Sequence, residues 1–325
     1  MQKIRVAVLR GGLSDEYNVS LLSGAAVLEN INTEKYEPID VIISRGGEWI
    51  VEGRTKLPEQ ILQSVDIVFI ALHGTYGEDG TLQRLLDRYN VRYTGSRAYS
   101  SGIAMNKATT KGHLRDTHVK LPQHVTVTRD SLKDISRITE NIVETFGPKY
   151  VLKPVSSGSS VGTIIIENPA SLSRSISDAL DNFDEVMVEE LISGREASCG
   201  VIERFRDQEH YALPPIEIIV PETSDFFDNK AKYSGGTDEI CPSTFDRDTK
   251  KTIEDLAVFI HKTIGLSQYS RSDFIINDAG VYFLEVNTLP GLTTESLLPK
   301  EISAVGGTYS DFITHLLTDS MTSFR

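Results

Sequence analysis

The sequence predicts an α/β fold whose first domain is a doubly wound parallel sheet. Strand-like runs alternate with helical periods through the first hundred residues, the pattern of a parallel sheet covered by helices. At 325 residues the chain is long enough for two or three domains. Near its end a run of strand formers folds back on itself as a hairpin.

The elements follow in order. Residues 3–9 read as a strand, and Gly11-Gly12-Leu13-Ser14-Asp15-Glu16 as a loop opening a helix. Val19, Leu22, Ala26 and Val27 give that helix an apolar face, with Ser14 or Asp15 as its cap. Strands are expected near 38–43 and 66–71, with a short one at 91–94. Between the last two, His73-Gly74-Thr75-Tyr76-Gly77-Glu78-Asp79-Gly80-Thr81 has three glycines in seven residues, which suit backbone close to something bulky or simply tight turns. Glu78 and Asp79 could equally be N-terminal charges of a helix over Leu82–Tyr89, and His73 alone reads as a structural hydrogen-bonding group.

A second helix over about 103–115 carries Lys107 and Lys111. Tyr150–Pro154 is a strand, and Ser156–Gly162 a turn into a strand at Thr163–Glu167. A helix at 169–182 leads to a strand at Glu185–Leu191, and strand patterns resume at Ala197–Glu203 and 215–220. A helix at about 248–264 aligns Ile253, Leu256, Phe259, Ile260 and Ile264, and a terminal helix is expected near 308–318.

Composition excludes several classes. A net charge of −13 argues against a nucleic-acid surface. The best apolar run, Ile67–Leu72, is strand-sized, so no membrane span is expected. The N-terminal segment is too short and interrupted for a signal peptide. Cys199 and Cys241 lack metal-ligand spacing and read as reduced cysteines of a cytoplasmic protein.

The hairpin carries the chemistry. With Asp278, Ala279 and Gly280 as a three-residue loop, Asn277 pairs with Val281 and Gly280 takes the left-handed position. Counting outward, Asp273 falls opposite Glu285 and Arg271 opposite Asn287, all four on one face. Two carboxylates and an amide oxygen suit Mg²⁺, a hard cation that shares oxygen ligands with phosphates. The competing reading is a solvated face with chance charges, and an even-numbered loop would separate Asp273 from Glu285. Gly158-Ser159-Ser160-Val161-Gly162, with Lys153 just ahead, could turn backbone N–H groups toward an anion. It lies between two strands and lacks the P-loop pattern, so a flexible connector is the competing reading.

Taken in order, six segments resemble the D-alanine–D-alanine ligase family of the ATP-grasp superfamily. They are Gly11–Gly24, His73–Gly80, Tyr93–Ser96, Ala104–Lys107, Lys153-Pro154 with Gly158–Gly162, and Glu285–Thr293. The resemblance implies an N-terminal α/β domain over 1–97 and two ATP-grasp domains, over 98–187 and 188–325, with ATP between the last two. It implies ATP-dependent joining of two D-alanines through an acyl phosphate, for peptidoglycan precursors. Related ligases that use D-lactate, D-serine or another amino acid are the alternative.

By the same resemblance Lys107, Lys153, Ser160 and Lys232 would meet ATP. Glu189, Glu190, Leu191 and Ile192 would edge its adenine, and Glu196 its ribose. Asp273, Glu285 and Asn287 would hold two Mg²⁺ ions, with Mn²⁺ able to substitute. Glu16, Ser159 and Tyr233 match a network around the first amino acid, and Arg271 and the Gly291 backbone match the oxyanion-stabilising group. His73, Ser296 and Leu297 would lie on substrate. Phe227–Tyr233 resembles a mobile lid, and a homodimer is implied. Asn106, Tyr17-Asn18 and Ser234–Glu239 depart from the family's usual residues, which bears on substrate preference.

Overall fold

Among the described residues three sheets follow one another along the chain, and each is closed by helices on at least one side. The computed structural model describes residues 3–158, 161–219 and 238–322. In the first sheet β1 (Ile4–Gly11), β2 (Tyr36–Ile43), β5 (Ile67–Ile70) and β6 (Arg92–Tyr93) pair in parallel. Two three-residue strands, β3 (Trp49–Val51) and β4 (Arg54–Lys56), extend its edge, giving the order β4-β3-β2-β1-β5-β6. Three residues are too few to show a period, so these two strands were not legible in the sequence.

Helix α1 (Tyr17–Asn30) packs on this sheet with an unexpected face. Its buried residues are Ser20, Ser23, Gly24 and Val27, while Leu22 is 63% exposed. The small residues let the helix approach and bond the sheet: Gly11 N–H donates to Ser20 Oγ (2.8 Å), which donates to the Ala71 carbonyl (2.7 Å). Neither Ser14 nor Asp15 is the cap. Glu16 holds that position without a side-chain cap, and the Ser14 hydroxyl is directed to the His73 carbonyl at 2.6 Å. Short α2 (Pro58–Leu62) and α3 (Thr81–Arg88) complete this unit.

The helix expected over 103–115 is two helices, α4 (Ala98–Met105) and α5 (Lys107–Leu114). Asn106 breaks them with extended backbone, and its side chain accepts from Thr109 N–H at 2.8 Å. Asparagine caps about as well as aspartate, so this departure costs the helix little.

The second sheet is antiparallel, in the order β7-β10-β8-β9, from β7 (His124–Thr128), β8 (Tyr150–Pro154), β9 (Ile164–Ile166) and β10 (Glu185–Glu190). Helices α6 (Ile135–Phe146) and α7 (Leu172–Leu180) cover one face, and Tyr150, Leu152, Val186 and Val188 meet Ile142, Leu172, Ile176 and Leu180 there. Strand alternation sends Val151, Lys153 and Glu189 to the other face.

The third sheet runs β14-β13-β11-β15-β16, with β12 paired to β11. Its strands are β11 (Arg195–Phe205), β12 (Gln208–Ala212), β13 (Ile216–Ile219), β14 (Asp238–Ile240), β15 (Tyr269–Asn277) and β16 (Gly280–Asn287). Helix α8 (Arg247–Ile264) buries Ile253, Leu256, Ala257, Ile260 and Ile264, with Phe259 only partly buried. Asp246 caps it by accepting from the N–H groups of Asp248 and Thr249.

Two packing facts bear on the anticipated division. Ile103, Ala104, Leu114 and Val119 join the core of the third sheet, so the apolar side of residues 98–119 packs there, while Lys111 reaches Glu189 on the central sheet. After α9 (Leu297–Ala304), helix α10 (Tyr309–Thr322) places Phe312, Ile313, Leu316 and Leu317 in the core of the first sheet. Apolar faces choose their partner by area available, not by neighbourhood in sequence.

Candidate active site

The hairpin β15–β16 sets the site, and its geometry corrects the expected loop. Asn277 pairs with Gly280, not Val281, so the loop has two residues, Asp278 and Ala279. Gly280 has φ +132°, which favours glycine, and Lys120 crowds the space a Cβ would take. Such an even loop would separate Asp273 from Glu285. A bulge between Phe274 and Asp273 supplies one extra residue on β16, and the register then reads Asp273↔Glu285, Ser272↔Val286 and Arg271↔Asn287. The four polar side chains share a face because a bulge restores the parity that the loop removes.

Asp273 is the hub. Its Oδ1 accepts from Arg271 Nε (2.9 Å) and Ser198 Oγ (2.5 Å), and its Oδ2 from Arg271 Nη2 (2.8 Å) and Asn287 Nδ2 (3.1 Å). These four bonds use the lone pairs of a carboxylate. Burial opposes charge on Arg271, but Asp273 outweighs it and raises the guanidinium's pKa. Glu285 Oε2 lies 3.2 Å from Lys107 Nζ, which also donates to the Ser157 carbonyl at 2.7 Å.

A cavity of about 590 Å³ opens between the second and third sheets. Lys107, Lys153, Asp273 and Glu285 stand on its wall, and Glu189, Glu190, Leu191, Ile192 and Glu196 line it too. The Glu189 carboxylate is engaged by two lysines. It lies 2.5 Å from Lys111 Nζ and 2.6 Å from Lys153 Nζ, almost wholly buried. Burial disfavours its charge, but Lys111 and then Lys153 outweigh burial and hold its pKa at about 2. Two ammoniums share one carboxylate, so Lys111, the deeper one, is pushed by burial down to about 8. Glu190 Oε1 accepts from Gln123 N–H at 2.9 Å and anchors the strand end at the rim.

A smaller cavity, about 60 Å³, borders the same face of the hairpin. It gathers Glu16, His73, Arg271, Asn287, Gly291, Ser296 and Leu297 from widely separated parts of the chain. His73 has both ring nitrogens engaged. Nδ1–H donates to the Leu289 carbonyl (2.8 Å), and Nε2 accepts from Ser23 Oγ (2.8 Å), which in turn accepts from Leu292 N–H (3.1 Å). Burial lowers the pKa of His73, in keeping with a neutral ring. Its work is thus to fasten α1 to the 289–292 loop, the structural reading of this histidine. Ser296 occupies the N-cap position of α9 and bonds Thr293 N–H and Oγ1 at 3.0 and 2.8 Å. A Cβ on Gly291 would meet Ser296 Oγ at 2.7 Å, so a larger residue there would have to push that hydroxyl from its bonds to Thr293.

Several residues that shape the site were missed or misread in the sequence. Glu78 is not a helix-end charge: it is buried, and accepts from the N–H groups of Gly74 (2.9 Å), Thr288 (3.2 Å) and Leu289 (3.1 Å). Burial, then the charge of Glu16, raises its pKa to about 7. The helix-end charge is Asp79, whose Oδ1 accepts from Thr81 N–H. Lys111 lies four residues after Lys107, on the same helix face, a spacing that could have flagged it. Glu217 holds Arg195 at the cavity wall with bonds of 2.8 and 2.6 Å, and no sequence signal marks it. Ser159, Ser160, Lys232, Tyr233 and the rest of the expected lid, Phe227–Tyr233, lie outside the described residues.

One expected neighbour of Ser159 lies within the described residues. A Cβ on Gly158, next to Ser159, would stand 2.4 Å from Glu16 Oε2. Gly158→Ala is expected to leave the melting transition nearly unchanged, because the clash is with the movable end of a side chain. If Glu16 holds substrate, the KM for the first amino acid rises about tenfold, or about 1.4 kcal/mol. Steady-state kinetics beside a thermal melt check this, and an unchanged KM removes Glu16 from the substrate site.

Comparison with known proteins bears on the whole chain. A family model described as "D-ala D-ala ligase N-terminus" matches residues 5–61 and 54–96, and one described as "D-ala D-ala ligase C-terminus" matches residues 114–318. The D-alanine–D-alanine ligase of Geobacter sulfurreducens is 35% identical over 321 residues, 98% of this chain and 94% of that one. The ligase of the same name from Leptospira interrogans (serovar Lai) is 32% identical over 342 residues, 96% of this chain and 97% of that one. Among solved structures, the VanG D-Ala:D-Ser ligase of Enterococcus faecalis superposes with a TM-score of 0.85 at 31% identity, covering 98% and 100% of the two chains. The D-alanine–D-alanine ligase of Bacillus anthracis complexed with ATP gives 0.76 at 27% identity, covering 98% and 97%.

Proposed function

The chain belongs to the D-alanine–D-alanine ligase family, and from that premise we propose how its two cavities divide the reaction. The protein is an ADP-forming ligase that joins two D-alanines with ATP, a step toward peptidoglycan. One observation carries the division. The hairpin face is shared: Asp273 and Glu285 line the large cavity, while Arg271 and Asn287 line the small one. ATP in the first and an amino-acid carboxylate in the second therefore meet at a single charged face.

In this reading the large cavity takes ATP, with Lys107 and Lys153 toward the phosphates, residues 189–192 along the base and Glu196 at the ribose. The first D-alanine's carboxylate attacks the γ-phosphoryl group, giving an acyl phosphate and ADP. The amine of the second then attacks the acyl carbon, and phosphate leaves from a tetrahedral intermediate. Arg271 spends Nε and Nη2 on Asp273, which aims the guanidinium at the small cavity to face the developing oxyanion. Such a donor is worth about 2.7–4 kcal/mol. The backbone of Gly291 adds an N–H, and the N-terminus of α9, at Ser296 and Leu297, attracts the second carboxylate. Glu16 holds the first amino acid, and His73 holds the wall beside it.

The donor set fits Mg²⁺, since Asp273, Glu285 and Asn287 offer hard oxygens on one face. Asp273 must exchange one of its four present donors for a cation, and Asn287 must present Oδ1 in place of Nδ2. Two Mg²⁺ ions there, or Mn²⁺ in their place, supply charge neutralisation for the phosphoryl oxygens. We read the chain as three units, with residues 98–119 belonging to the core of the third sheet. A homodimer and a cytoplasmic site of action are part of the same proposal. Among the described residues no helix is long and apolar enough to cross a membrane.

A release assay for ADP across D-alanine, D-serine and D-lactate tests the substrate assignment. The likeness to a D-Ala:D-Ser ligase makes D-serine the second reading, and a D-alanyl-D-serine product at matched concentrations would establish it. Tyr233 bears on the hydroxy acid. A neutral phenol on the lid places no cation beside the second substrate, so it offers D-lactate nothing and does not repel the ammonium of D-alanine. Equal D-alanine and D-lactate at pH 7 are expected to give mainly dipeptide. A depsipeptide as main product, resolved by mass, overturns D-alanine as second substrate.

A further inference from the structure

Away from both cavities, three metal-competent side chains converge. Glu203, near the end of β11, pairs directly with His210 on β12, so the two share a face of the sheet. Helix α8 crosses that face and brings His261 onto them. Glu203 Oε1 lies 3.5 Å from His261 Nε2 and 3.7 Å from His210 Nε2. One ligand atom from each of the three falls within 4.8 Å of the others.

The surroundings are those of a built site. His261 is fully buried, and its Nδ1 is tied to Ser270 Oγ at 2.8 Å, which turns Nε2 toward the cluster. That Nε2 makes no well-formed hydrogen bond among the described residues, Glu203 Oε1 standing 3.5 Å away, and a buried ring nitrogen left so weakly bonded is costly. The other carboxylate oxygen of Glu203 accepts from Gln268 N–H (2.8 Å) and Arg204 Nη2 (2.9 Å), which leaves Oε1 to face the imidazoles. Outer bonds of this kind orient ligands to a metal.

We propose that Glu203, His210 and His261 form a binding site for one Zn²⁺, with water as the remaining ligand. Zinc–ligand distances of about 2.0–2.1 Å put tetrahedral ligands about 3.3 Å apart. The two Glu203–imidazole separations need to close by only a few tenths of an ångström, and the two imidazoles stand within 4.8 Å of each other. Two imidazoles and one carboxylate suit zinc, whereas the all-oxygen face of the hairpin suits magnesium. A simple pairing of His261 with Glu203 would leave the second imidazole, His210, facing the same oxygen. His210 is partly exposed and gives the ion an entry path. The ion would clamp the β11–β12 hairpin to α8. Seven residues of strand separate Glu203 from Glu196 at the large cavity, about 23 Å, so the clamp acts on stability and not on turnover.

The test uses the full chain after chelation, with Mg²⁺ saturating so that the hairpin carboxylates are occupied. Co²⁺ titration is expected to develop the visible bands of four-coordinate cobalt at one equivalent, and Zn²⁺ to abolish them while raising the melting temperature. His210→Ala is expected to remove the bands and the Zn²⁺-dependent shift, weakening Co²⁺ binding at least about tenfold, with turnover and circular dichroism preserved. Glu203→Gln serves as the second variant, and Glu285→Gln is expected to keep the bands. Absence of cobalt bands and of a zinc-dependent shift in the unaltered protein overturns the site. So do bands that survive in folded His210→Ala and Glu203→Gln.

Discussion

Glu285→Gln is expected to abolish turnover and leave the fold standing. Glu285 lies opposite Asp273 on the hairpin and on the wall of the large cavity. Its carboxylate is 3.2 Å from Lys107 Nζ. Glutamine keeps its shape and removes one of two negative charges on that face, so a site that binds cations mainly through charge loses most of its attraction. The side chain is one-quarter exposed, so the stability cost is expected within about 1 kcal/mol. The loss in ADP release at saturating Mg²⁺ is expected to exceed about a hundredfold, or about 2.7 kcal/mol in the barrier. Near-normal release from a variant with an unaltered melt would take Glu285 out of the metal face.

Glu189→Gln is expected to cost stability rather than chemistry alone, by about 3–5 kcal/mol. The variant leaves Lys111 and Lys153 buried together without their shared anion. The pH dependence identifies the cause. The pKa of Glu189 falls from 4.5 to about 2 on folding. A carboxylate depressed in this way contributes stability that is fully present above the unfolded value and is lost as pH falls through the folded one. The gap between the parent and variant is therefore expected to be widest above about pH 4.5 and to close toward pH 2. Replacing Lys111 by Met in the same chain should recover part of the loss, because one uncompensated cation is then removed. Denaturant unfolding across that pH range measures both effects, and a cost below about 1 kcal/mol would show that the triad is not a buried ion cluster in solution.

These two residues also mark how far the sequence carried. Asp273, Glu285 and Asn287 were legible because strand alternation is a local rule, and a hairpin pattern of four polar groups on one face stands out against the strand formers around it. The reading reached the right register through a wrong loop. The two-residue turn and the bulge on β16 each shift the parity once, and a bulge leaves no reliable mark in composition because its cause lies in twist and packing. Lys153 was legible as a cation ahead of a glycine-rich turn. Its pairing with Glu189 and Lys111 was not legible, because nothing in the local pattern says that α5 will deliver Lys111 to that strand.

The sequence by itself determined what depends on neighbours along the chain. The order of strands and helices, the parallel first sheet, the hairpin and the ordered set of family segments are all of that kind, since period, turn chemistry and motif spacing are local. Only the tertiary structure decided which distant groups share a space. Glu78 on the first unit bonds the backbone of Thr288 and Leu289, His73 bonds Leu289 from more than two hundred residues away, and helix α10 returns to the first core. So too did the helix face of α1 turn out to be serine and glycine, with Leu22 in solvent. Burial is a property of a closed volume, and the partners that fill it are chosen by the area and hydrogen bonds available there, which no stretch of sequence contains alone.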